Sequence, residues 1–153
     1  MPNDKQVKLL IKYYSPVLDQ LTVETLWADV IDEVKGLYKI DNIPFYGPLL
    51  ACEDIVFAEY DDSEGMLTYR KTVEHSGNSV ILIVMMDEIT DVEIIRDEFR
   101  KMGCESEGTG KRYFTMEVPF GLSYEPIRNL LLNYKRKGVL EYSEPCLSKK
   151  HSY

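Results

Sequence analysis

The chain has 153 residues, of which 44% are hydrophobic and 29% are charged, and its formal net charge is −8 at pH 7. This composition lies far from that of disordered chains, and the length suits one ordinary domain or two very small ones. Nucleic-acid binders need lysine and arginine to displace counterions from phosphate, so the acidic balance disfavours that class.

The negative charge is unevenly spread along the chain. Residues 1–80 contain 14 acidic and 7 basic side chains, whereas residues 81–153 contain 12 and 11. The first half therefore carries nearly all of the excess, and its electrostatic field would attract a basic partner.

The sequence does not indicate a membrane-spanning segment, a disulfide framework or a zinc site. The longest apolar run, residues 80–86, is much too short to cross a bilayer, and the start MPNDKQ lacks the order of a signal peptide. Cys52, Cys104 and Cys146 form no CxxC pair, and the two histidines lie far apart in sequence. We therefore predict a cytoplasmic protein with no cofactor.

The first half of the sequence predicts short strands. Apolar, β-branched and aromatic residues are typical of strands in five segments, namely 7–13, 23–31, 36–40, 53–60 and 66–73. The last two form a predicted hairpin through residues 61–65. Trp27 is predicted to lie in the core, because burial of an indole contributes much to a small β domain. Five short strands favour a small β-barrel-like or curled antiparallel sheet.

The second half alternates strands and helices. Thr90 and Glu93 match a capping box, which predicts a helix from residue 91 to Gly103, and Ser123 is a plausible N-cap for a second helix that ends at Gly138. Strands are predicted at 80–86, 104–106, 112–118 and 139–143. The resulting order β-α-β-β-α-β is that of a ferredoxin-like unit.

These patterns together predict an α+β protein. We expect a β-rich subdomain at residues 1–77 and a ferredoxin-like α+β subdomain at 78–153. The alternative is that both halves share one core.

The acidic stretch ACEDIVFAEYDDSEG, residues 51–65, does not match a calcium loop. Counting back from Gly65 puts Tyr60 at the first EF-hand position and Lys71 at the twelfth, where oxygen ligands are required. The segment EGTGKR at 107–112 lacks the first glycine and the final Ser or Thr of a phosphate-binding Walker loop. We therefore predict no metal site and read both segments as turns, with a looser cation site at Asp61, Asp62 and Glu64 as the alternative for the first.

Glu74, His75 and Ser76 have the residue types of a catalytic triad but are adjacent in sequence. Consecutive side chains of an extended chain project to opposite sides and cannot form a relay. No catalytic residue is assigned, and His75 remains a possible general base only with a carboxylate from elsewhere.

Four segments carry a resemblance. They are VETLWADVI at 23–31, GLYKIDNIPFYG at 36–47, EDIVFAEYDD at 53–62 and VEHSGNSVILIV at 73–84. Their order resembles a bacterial family of domains of unknown function, which covers the first half of the chain well and the second half loosely. The family pattern places Gly-Asp before the Ile-Val strand, whereas this chain has Glu53 and Asp54. The resemblance implies no activity.

Lopsided acidity, eleven tyrosines and the absence of a recognisable catalytic pattern predict a protein that acts by binding. The leading hypothesis is an immunity-type protein that neutralises a basic toxin, such as a nuclease, by covering the surface that otherwise meets phosphate. The predicted partner-binding residues are Glu53, Asp54, Glu59, Asp61, Asp62, Glu64, Tyr46 and Tyr60.

Two other functions stay open. A regulatory or small-ligand-binding module is the first alternative, because ferredoxin-like scaffolds often hold effectors. An enzyme that uses carboxylates with His75 is the second.

Overall fold

The computed structural model describes residues 5–15, 19–45, 49–108, 110 and 112–153. This part of the chain is α+β, with two α-helices and two sheets. It divides into two compact units, Met1–Ser76 and Gly77–Tyr153. None of the helices in the described ranges is long and apolar enough to cross a membrane.

The first unit is a curled five-stranded sheet, as predicted. Its strands are β1 (Gln6–Ser15), β2 (Gln20–Asp32), β3 (Leu37–Ile40), β4 (Ile55–Asp61) and β5 (Met66–Glu74). Strands adjacent in sequence pair antiparallel. The first and last strands also pair with each other, in parallel, where Leu10 meets Thr68. This pairing turns the sheet back on itself.

Register shifts help the sheet to curl. They occur in β2 between Val30 and Asp32 and twice in the pairing of β4 with β5, where β5 has the extra residue, and such bulges increase the local twist of a strand. Gly36, with φ +72°, lets β4 approach closely, because a Cβ there would lie 2.8 Å from the carbonyl oxygen of Ala58.

The core of the first unit lies on the inner face of the sheet. Its buried members are Leu9, Ile11, Leu26, Ala28, Tyr38, Ile40, Leu50, Val56 and Ala58. Trp27 is not among them and is 45% exposed, so the prediction of a core tryptophan is wrong. Because side chains alternate across a strand, burial of Leu26 and Ala28 directs Trp27 outward.

The second unit contains four strands and both helices. These are β6 (Ser79–Met85), α1 (Val92–Lys101), β7 (Ser106–Gly108), β8 (Tyr113–Val118), α2 (Tyr124–Arg136) and β9 (Leu140–Cys146). The sheet order is β7-β8-β6-β9 and every pairing is antiparallel. A 3₁₀ turn at Lys149–His151, which the sequence reading missed, follows β9.

The helices bury their apolar stripes in the core of this unit. Ile95 and Phe99 of α1 and Ile127 and Leu131 of α2 pack with residues of the sheet. In each helix these two buried side chains are four residues apart and lie on one side of the helix, which explains why the segments are helical. Gly103 and Gly138, both with positive φ, follow the helix ends as predicted.

The N-terminus of α1 differs from the prediction by one residue. Asp91, not Thr90, is the N-cap, and its Oδ1 accepts a hydrogen bond from the Glu93 amide at 2.9 Å. Thr90 instead donates from its amide and hydroxyl to the carboxylate of Asp87. Ser123 is the N-cap of α2 as predicted, but its side chain makes no capping bond.

Candidate functional site

The acidic loop between β4 and β5 is organised around Asp61. Its Oδ1 accepts hydrogen bonds from the amide and hydroxyl of Ser63, at 2.9 and 2.5 Å, and its Oδ2 accepts one from Arg70 Nη2 at 3.0 Å. The Ser63 hydroxyl, followed by the Arg70 guanidinium, holds the pKa of Asp61 well below its ordinary value. Asp61 is therefore ionised, and its carboxylate stabilises the turn by accepting these hydrogen bonds.

Two more of the predicted partner-binding acids have basic neighbours. Arg70 Nε donates to Glu59 Oε1 at 3.1 Å, and Lys12 on β1 forms an ion pair with Glu64. Asp62 and Glu53 are exposed. The loop therefore presents less uncompensated charge than six neighbouring acids in the sequence suggested.

Asp54 does not lie on the surface where we predicted it. It is 1% exposed, and its two oxygens accept hydrogen bonds from the amides of Ala51 and Ser76, at 3.1 and 2.7 Å. These bonds tie the segment before β4 to the segment after β5. Burial of a carboxylate without such donors would be costly, so its role here is structural.

His75 lies beside Asp54 and is mostly exposed. Its Nδ1 is 3.5 Å from Asp54 Oδ2, which is longer than a good hydrogen bond. A histidine next to a carboxylate is the minimum that the enzyme hypothesis requires. The described residues contain no group of three or more His, Cys, Asp or Glu side chains that could hold a metal ion.

Of the two tyrosines predicted to bind a partner, the structure describes one. Tyr60, at the end of β4, is exposed and next to the acidic loop. Tyr46 lies outside the described residues.

An exposed apolar surface, which the sequence reading did not identify, lies on the outer side of β1 and β2. Leu21, Val23 and Trp27 lie on the outer side of β2, with Thr25 between Val23 and Trp27, and are 72%, 54% and 45% exposed. Tyr14 of β1 pairs with Leu21 and is 53% exposed. Directly paired residues share one side of a sheet, so these four side chains form one surface, the β2 face.

Basic side chains border the β2 face. Lys8 and Lys12 of β1 pair with Trp27 and Val23, and the Lys8 ammonium lies 5.1 Å from the centroid of the indole ring. Because Lys12 also pairs with Glu64, the acidic loop and the β2 face are neighbours.

The Asp-Asn-Ile-Pro-Phe turn, residues 41–45, forms hydrogen bonds with the backbone of Trp27. The Trp27 amide donates to Asn42 Oδ1 at 2.6 Å, and the Asp41 amide donates to the Trp27 carbonyl at 2.9 Å. Ile43 and Pro44 are buried. The turn therefore positions the middle of β2 and has a structural role at these residues.

Comparison with known proteins gives two matches. A family model described as "Domain of unknown function (DUF4265)" matches residues 24–142, which extends further into the second half than the four sequence segments. The chain is similar to a crystal structure of a hypothetical protein from Neisseria gonorrhoeae, with 26% identity over 95% of this chain and 98% of that chain and a TM-score of 0.80. No curated protein matches the chain.

Proposed function

This chain belongs to the family of domains of unknown function DUF4265, and from its surface we propose that it binds a basic protein in the cytoplasm, as an immunity-type protein binds its toxin. The observation that carries the proposal is the β2 face, defined by Tyr14, Leu21, Val23 and Trp27. Clustered apolar side chains on a protein surface are typical of interaction sites.

The β2 face has the composition expected of an interface core. Tryptophan and tyrosine are enriched among the residues that contribute most to binding energy, and Trp27 lies between Lys8 and Asn42. Its backbone is held in paired strands, so little backbone ordering would accompany association. We therefore place the main contact at Trp27, with Val23 further along the same side of β2.

Charge supports a basic partner. The Met1–Ser76 unit contains 14 acidic and 7 basic side chains, and internal ion pairs leave that net charge unchanged. At a distance a positive partner is therefore attracted, which accelerates association. The acids at Glu53 and Asp62 would act at the rim of the contact, while the apolar residues form its centre.

A search for a basic protein encoded by a neighbouring gene, followed by measurement of its binding to this chain, would test the proposal. We expect Trp27→Ser to weaken binding by about 30-fold or more, because truncation of a central aromatic residue commonly costs about 2 kcal/mol. Isothermal titration calorimetry would measure the affinity, and rescue of cell growth would measure neutralisation. Because the Trp27 side chain is about half covered, its replacement should also lower the free energy of unfolding by about 1 kcal/mol, and urea denaturation would show that the variant is still folded at the temperature of the binding assay.

A matched control is Val34→Ser. Val34 is 98% exposed, lies in the turn after β2 and is not part of the β2 face, so its replacement should leave affinity unchanged. Replacement of Asp62 by Asn should slow association and reduce its salt dependence, with little change in the dissociation rate. Equal affinity of Trp27→Ser and the unmodified protein, or no binding to a neighbouring toxin, would overturn the proposal.

We also propose specific fold types for the two units. A ferredoxin-like fold for Gly77–Tyr153 is supported by the order β-α-β-β-α-β and by a sheet in which β6 lies between β8 and β9. A barrel-like form for the first unit is supported by the pairing of β1 with β5.

A further inference from the structure

The second unit contains an open cleft of about 600 Å³ between the start of α2 and the residues after β9. Its lining includes Ser123, Tyr124, Arg128, Asn129, Lys150 and Tyr153. This volume lies within the range of pockets that bind small molecules. The cleft has no role in the function proposed above, which concerns the first unit.

Arg128 is held in the cleft by an aromatic ring. Its guanidinium carbon lies 3.7 Å from the centroid of the Tyr153 ring. The Tyr153 hydroxyl donates to Glu144 Oε1 at 2.8 Å, and the Tyr124 hydroxyl donates to the other oxygen of Glu144 at 2.5 Å. Glu144 therefore fixes both rings, and through Tyr153 it positions the guanidinium group.

The hydrogen bonding of Arg128 is incomplete. Its Nε is shielded from solvent, and none of the described residues accepts a hydrogen bond from that atom. The guanidinium group as a whole does have a partner, because a hydrogen bond with the Tyr153 side chain raises its pKa. Buried donors in folded proteins nearly always have an acceptor, most of all when the group is charged. Because Arg128 lines the cleft, an oxyanion bound there could accept hydrogen bonds from its guanidinium group, whose planar set of donors suits a carboxylate or a phosphate.

The segment that carries Lys150 and Tyr153 is anchored by His151. This histidine is buried, and its Nε2 donates to the carbonyl of Leu122 at 2.9 Å, while its Nδ1 lies 2.7 Å from the hydroxyl of Ser79. The backbone positions of Lys150 and Tyr153, close to this anchor in sequence, are therefore fixed. Lys150 adds a second positive charge to the lining of the cleft.

We propose that this cleft binds a small molecule through one oxyanion, a phosphate or a carboxylate, with Arg128 as the main donor and Lys150 as the second cation. Glu125 also lines the cleft, so its lining carries one net positive charge, and Glu144 behind the two tyrosines lowers the local potential further. That balance favours a single anionic group over a polyanion. The rings of Tyr124 and Tyr153 offer apolar surface to the remainder of the ligand.

Nuclear magnetic resonance of the full-length protein can test this directly through the Arg128 Nε–H signal. Phenyl phosphate and benzoate would be titrated separately at constant ionic strength, with sodium chloride as the baseline. We expect a saturable shift of this signal with at least one of the two probes. The stronger probe identifies the oxyanion, and equal affinities would assign the site to both groups.

Variants make the test specific, and their affinities would be measured by isothermal titration calorimetry with the same two probes, because the Arg128 Nε–H signal is lost when Arg128 is replaced. Arg128→Gln should weaken binding at least tenfold, Arg128→Lys less, and Tyr153→Phe a few-fold, because the ring remains while its bond to Glu144 is lost. Arg136→Gln, in the last turn of the same helix and outside the lining, is the matched control and should bind normally. If Arg128→Gln does not fold, the affinity of Arg128→Lys for the probes tests the proposal in its place. Shifts no larger than those with chloride, or an unchanged affinity after the Arg128 substitution, would overturn the proposal.

Discussion

The backbone angle of Glu53 offers a physical reason for the glycine that the resemblance implies at this position. Its φ is +71°, in the left-handed region that disfavours residues with a Cβ atom. The resemblance identified from the sequence places glycine at this position, and glycine adopts this conformation without strain. The segment before β4 therefore requires a left-handed residue, and this chain meets that requirement with glutamate at a cost in free energy.

Replacement of Glu53 by glycine should stabilise the protein. Relief of the left-handed conformation is worth about 1–2 kcal/mol, whereas the greater freedom of glycine in the unfolded chain costs about 0.4–1 kcal/mol. We expect a net gain of about 0.5–1 kcal/mol, measured by urea denaturation. Glu53→Ala is the control, because it removes the side chain but keeps the Cβ. A glycine variant no more stable than the alanine variant would contradict this account.

The two helices begin in chemically different ways although both follow a capping residue. In α1 the Asp91 carboxylate accepts from the Glu93 amide, which satisfies one of the donors left open at a helix N-terminus. In α2 the Ser123 hydroxyl makes no such bond. The residue type alone therefore does not reveal which cap contributes to stability.

Alanine at the two N-caps should have unequal effects. Asp91→Ala is expected to lower the free energy of unfolding by about 1 kcal/mol, because it removes both the capping bond and a negative charge at the helix N-terminus. Ser123→Ala should lower it by less than about 0.5 kcal/mol, since no capping bond is lost. Thermal and urea unfolding would measure both values. Equal losses would show that the Ser123 side chain caps α2 in solution.

At the scale of the whole molecule, each unit has a buried core built from its own residues. The larger cluster includes Phe99, Phe114 and Leu131 of the second unit, and the other includes Leu9, Ile40 and Val56 of the first. A segment with its own core has the main property of a domain. Two domains, divided near residue 77, therefore remain our prediction for this chain.

A fragment of residues 77–153 would test that prediction. We expect it to unfold cooperatively in urea, with a stability of roughly 3–5 kcal/mol, the amount that a single core of this size supplies. Circular dichroism would follow the transition. The amide signals of the fragment in a nuclear magnetic resonance spectrum should overlay on those of the same residues in the full chain. A gradual loss of signal without a transition would favour one core shared by both halves.

Local patterns in the sequence were sufficient to predict most elements. The apolar run at residues 80–86 corresponds to β6, and the apolar spacing between residue 91 and Gly103 corresponds to α1. Glycines after both helices and the turn residues at 61–65 also lie where they were expected. Such features depend on neighbours within a few residues, so a single sequence contains the information.

Only the tertiary structure decided which of these residues are exposed. Both sides of β2 carry apolar residues, so alternation separates Trp27 from Leu26 and Ala28 but does not tell which side is inside; the curl of the sheet does. The ion pair of Lys12 with Glu64 and the burial of Asp54 against Ser76 join residues far apart in sequence. Charge in the sequence therefore determined the sign of the expected partner, whereas strand pairing determined the surface that would meet it.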